Sequence, residues 1–62
     1  MTSHKFHLFT AADGTFVLKE SDLPPKTFSR IMEAFTAAKR IEENAPITVY
    51  DARGQVVLNT FA

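Results

Sequence analysis

The sequence predicts an α+β domain in ββαββ order, an antiparallel sheet with one helix packed on one face. Three observations lead there. Two stretches alternate apolar and polar residues about glycine-containing turns, at Asp13-Gly14 and Arg53-Gly54. Between them, one segment carries apolar residues at spacings of three and four. A chain of 62 residues has room for one domain only, so residues 1–62 are expected to fold as a unit.

In the first stretch, Phe6 and Leu8 point one way while His7 and Phe9 point the other. Ala11-Ala12-Asp13-Gly14 supplies the turn, because glycine accepts the positive φ that tight hairpins require. Phe16, Val17 and Leu18 form the return strand. Glu20 to Lys26 reads as a connector, since Pro24-Pro25 removes two amide donors and holds the chain extended. Thr27 or Ser29 can then cap a helix. Its apolar stripe is Ile31, Ala34, Phe35, Ala38 and Ile41, with Leu23, Phe28 and Met32 closing the N-terminal end. Asn44 suits a left-handed stop, and Pro46 forbids continuation. Ile47 to Tyr50 and Gln55 to Phe61 make the second hairpin. Setting Gly54 on Gly14 aligns Ala52 with Ala12, Val57 with Val17 and Leu58 with Leu18, so the hairpins echo each other.

Composition narrows the function. A domain this small buries only about 60% of the surface its unfolded chain exposes, so it needs a dense core or a partner. Cysteine is absent, which removes disulfides and thiolate zinc sites. Seven basic and seven acidic residues cancel, which argues against nucleic acid and leaves little charge to oppose self-association. No apolar run is long enough for a membrane span, and the polar start does not read as a signal peptide, so the expected location is cytoplasmic.

One helix covers one face of a sheet. Phe6, Leu8, Phe16, Leu18, Ile47, Val49, Val56 and Leu58 form the set expected beneath it. The opposite face would carry His7, Phe9, Val17, Thr48, Tyr50, Val57 and Phe61, which is too apolar for a face left in water. These seven residues are the candidate interface, with a homodimer as the expected assembly and a different protein as the other partner considered. Aromatics on an open sheet can also stack on single-stranded nucleic acid, here through Phe9, Tyr50 and Phe61. A phage- or defence-related inhibitor is a third reading, which no residue selects.

Chemistry-bearing residues are sparse. His4 and His7 lie three apart, a spacing that in a strand sends them to opposite faces rather than to one metal. A free Thr2-Ser3-His4 terminus could wrap Cu(II) or Ni(II) in nitrogen donors, a property many termini share by accident. Asp13 and Asp51 sit where carboxylates shape turns. With no cysteine nucleophile, no Ser-His-acid set and only two glycines, the chain is read as neither an enzyme nor the carrier of a cofactor or metal.

Phe16-x-Leu18, the Ser29-to-Ala38 helix with Glu33-Ala34, and Val49-x-Asp51-x-x-Gly54-x-Val56 together resemble a small bacterial family of uncharacterised hairpin-helix-hairpin domains. The likeness spans residues 15 to 58, with Phe16 where tryptophan is common and Pro24-Pro25 peculiar to this chain. It implies a fold and assigns no activity. The expected role is therefore a small protein-interaction module.

Overall fold

The computed structural model describes residues 4–21 and 23–62. Strands β1 (Phe6–Thr10), β2 (Phe16–Glu20) and β3 (Leu23–Phe28) precede helix α1 (Ile31–Ile41), and β4 (Pro46–Tyr50) and β5 (Val56–Phe61) follow it. They form one five-stranded sheet in the order β3-β2-β1-β4-β5. The α+β class and the ββαββ order hold, with an additional edge strand between the second strand and the helix. The sheet is mixed rather than antiparallel, because β1 pairs with β4 in parallel, Phe6 opposite Ile47 and Leu8 opposite Val49.

The added strand explains that difference. β3 runs antiparallel to β2, with Phe16 opposite Phe28 and Leu18 opposite Lys26. The expected spacer at Pro24-Pro25 is thus part of a strand. One of the two missing amides costs nothing, because β3 is an edge and that side faces no neighbour. The register also shifts between Leu18 and Glu20, opposite the prolines. β3 therefore runs in the direction of β1, the helix returns the chain, and β4 sets off parallel to β1.

Both hairpins close the same way. Gly14 N–H donates to Ala11 C=O at 3.1 Å and Ala11 N–H to Thr15 C=O at 2.8 Å. Gly54 N–H donates to Asp51 C=O at 3.0 Å and Asp51 N–H to Gln55 C=O at 2.8 Å. Gly14 and Gly54 have φ of 89° and 86°, so the echo between the hairpins is one turn built twice. No atom stands within 4 Å of where a Cβ would lie on Gly54, so Gly54→Ala should pay only for its dihedral angle. A loss of about 1–2 kcal/mol in urea unfolding is expected, with a smaller loss for Gly54→Asn. Equal losses for both would show that the left-handed angle is not what selects glycine.

The helix begins later than the sequence suggests. Thr27 lies in β3, Arg30 occupies the N-cap position without a capping side-chain bond, and Ser29 Oγ instead donates to Glu33 Oε1 at 3.3 Å. Its end is as expected, with Asn44 at φ 67°. The stripe lands on the sheet through the small residues Ala34 and Ala38, both fully buried, with Ile31 and Phe35 packed beside them. Met32 does not close the N-terminal end; it is 70% exposed.

Phe6, Leu8, Leu18, Ile47, Val49 and Ala45 complete the core. Val56 and Leu58 do not join it, being 52% and 48% exposed. A helix is about 10–12 Å across with its side chains, while five strands at about 4.8 Å spacing are wider. α1 lies towards β2 and β3, and β5 stays bare on the helix side.

Candidate interaction site

Alternation along β1 fixes the open face. Phe6 and Leu8 are buried beneath the helix, so His7 and Phe9 must project from the other side. Register carries that assignment across the sheet. Phe9 stands opposite Val17 on β2 and Tyr50 on β4, and His7 stands opposite Thr48. Thr48 in turn faces Asn59, which places Val57 and Phe61 on the same side of β5. The sheet thus brings all seven residues of the candidate interface onto one face, and none of them is buried.

The face has internal order. Phe9 and Tyr50 rings stack with centroids 4.5 Å apart and planes 8° from parallel. Tyr50 Oη and His7 Nδ1 share a hydrogen bond at 2.8 Å, and Thr48 Oγ1 donates to Asn59 Oδ1 at 3.1 Å. Lys19, from the opposite neighbour of β1, holds Nζ 5.6 Å from the centre of the Phe9 ring. Phe9 is therefore flanked by Tyr50 on β4 and by Lys19 on β2. The sequence places Lys19 where it could flank these aromatics, and its position opposite His7 follows once the hairpin register is set.

His4 and His7 separate as their spacing predicts. His7 meets Tyr50 on the open face, while His4 Nδ1 lies 3.0 Å from Glu20 Oε2 and its backbone N–H donates to Glu42 Oε1 at 2.8 Å. Among the described residues Glu20 is the buried charged one, its side chain only 5% exposed. The alternation Phe16, Leu18, Glu20 pointed to that burial, since all three share the covered side of β2. His4, Glu20 and Lys26 border an apolar cleft of about 410 Å³ lined by Phe6, Leu23 and Ile41. Residues Thr2 and Ser3 of the possible copper-binding terminus lie outside the described residues. Among the described residues, no three ligating side chains converge as a metal site would require.

The two turn aspartates act on their own backbone. Asp13 Oδ1 accepts from Thr15 Oγ1 at 2.7 Å and Thr15 N–H at 3.0 Å, and these bonds hold its carboxyl below the ordinary range. Asp51 Oδ1 accepts from the amides of Arg53 and Gln55, both at 2.9 Å. Among the described residues, no helix is long and apolar enough to cross a membrane. The chain matches no family model, no curated protein and no solved structure.

Proposed function

We propose that the protein is a small cytoplasmic interaction module that works as a homodimer through its uncovered sheet face. The observation that carries this reading is the gathering of His7, Phe9, Val17, Thr48, Tyr50, Val57 and Phe61 on one face that no part of the described chain covers. An apolar, ring-bearing face of this extent is costly in water, and a second copy meeting it doubles the buried surface of a domain too small to bury much alone. Zero net charge removes the repulsion that would oppose such pairing.

The arrangement of the rings bears on the nucleic-acid reading. A base needs a free aromatic surface, and Phe9 is already flanked by Tyr50 and Lys19. The face is better suited to pack against side chains than to intercalate bases.

Solution mass at micromolar concentration tests the proposal. The wild type is expected to be dimeric, and Phe9→Asp to lose the face contact while keeping a cooperative urea transition. A wild type that stays monomeric defeats the reading. Oligonucleotide binding that weakens steeply with added salt would replace it with the nucleic-acid alternative.

A further inference from the structure

The two edges of the sheet are built differently. At β3, Pro24 and Pro25 offer no amide, Lys26 adds a charge, and the register is broken opposite them. These are the devices by which natural sheets refuse another strand. β5 holds no proline and no charge along its sequence Val-Val-Leu-Asn-Thr-Phe, and its one break of register lies at Val57. Val57 and Phe61 are 58% and 67% exposed on one side of it, and Leu58 is 48% exposed on the other. Its register with β4 shifts only at the Tyr50 end.

We infer that β5 is a pairing edge, and that its partner is the β5 of a second copy, added antiparallel about a two-fold axis at Asn59. The backbone supports this register. Ala62 donates its N–H to Ala45 at 2.8 Å and accepts from Asn44 at 3.0 Å, so its groups point into the sheet. By alternation Thr60 and Leu58 also bond inwards, leaving the amides and carbonyls of Asn59 and Phe61 pointing outwards. About the two-fold axis, outward groups of Asn59 meet the same groups on the second copy. Residues of like parity then meet across the seam: Val57 beside Phe61 on the open face, Leu58 beside Thr60 on the helix side. No charge is set against its like, because the strand has none. A second copy is thus complementary without any change to the fold, as a two-fold contact requires.

This contact is separate from the face contact proposed above, and each has its own variant. Asn59→Pro removes an outward amide that the domain does not use, and with it both central bonds between copies. Made in the Phe9→Asp background, where the edge contact alone joins the copies, it should raise the dimer dissociation constant by sedimentation about ten-fold or more, with an unchanged far-UV circular dichroism spectrum. Phe9→Asp should leave edge pairing intact. The cysteine-free chain allows a second readout that does not depend on proline being accommodated. Across a hydrogen-bonded antiparallel pair, Cα atoms lie about 5.5 Å apart, within disulfide reach. Asn59→Cys should therefore oxidise to a covalent dimer, and Thr36→Cys, exposed on the helix away from both contacts, should do so far more slowly. If Asn59→Pro associates like its Phe9→Asp parent, or Asn59→Cys crosslinks no faster than Thr36→Cys, edge pairing is overturned. If Phe9→Asp alone associates like the wild type, it is the face reading that fails.

Discussion

Phe6→Ala is expected to remove a large share of the domain's stability. Phe6 is fully buried on β1, the central strand, between β2 and β4 and beneath the helix. Truncating a buried Phe to Ala costs about 3–5 kcal/mol, part lost transfer energy and part the cavity left behind. At about 0.05–0.15 kcal/mol per residue, a domain this size holds only about 3–9 kcal/mol in total. The substitution removes from about a third to all of it. Far-UV circular dichroism in a urea titration reads the result directly, with the native baseline shortened or gone. Phe6→Leu, which keeps most of the volume, should retain a cooperative transition. Met32→Ala, at a helix position 70% exposed, should move the midpoint hardly at all. A Phe6→Ala chain that stayed as stable as wild type would mean that β1 does not organise the core.

How far the sequence could foresee this structure depends on which signals are local. Gly14 and Gly54 declare their turns because a positive φ is a property of one residue, and both adopt it. Alternation in β1 and β4 is equally local, which is why Phe6, Leu8, Ile47 and Val49 were assigned to the core and His7, Phe9, Thr48 and Tyr50 to the open face. β3 is different. Pro24 and Pro25 exclude a central strand, yet whether they sit on an edge depends on the finished sheet, not on residues 23 to 28. Missing that strand also hid the direction of the chain entering the helix, and so the parallel β1–β4 pair. The bare helix side of β5 has a similar origin. Leu58 resembles a core residue, and only the width of one helix against five strands leaves it exposed, while the register shift before Tyr50 sets Val56 opposite that open-face residue. The homodimer itself remains an inference from an apolar face and a neutral chain.

Ala38→Leu should destabilise the domain although it adds apolar surface and barely changes helix propensity. Ala38 is fully buried, as is Ala34 one turn earlier, and both join the cluster that includes Phe6, Leu8 and Leu18. Small side chains there let the helix backbone approach the sheet closely. A leucine has no void to enter, so it must either leave its preferred rotamer or lift the helix, at about 1–3 kcal/mol. Urea unfolding should show that loss for Ala38→Leu and little for Thr36→Leu, whose site on the same helix is exposed. No loss at Ala38 would mean that the helix rides loosely on the sheet. The consequence reaches beyond stability, because among the described elements α1 alone covers the side bearing Phe6, Leu8, Ile47 and Val49. A helix lifted from it would expose apolar surface on both sides of the sheet at once. Ala38→Leu should then bind a hydrophobic dye such as anilinonaphthalene sulfonate more than wild type does. It should also aggregate without limit rather than stop at a defined oligomer, because a closed assembly requires that only chosen surfaces be left bare.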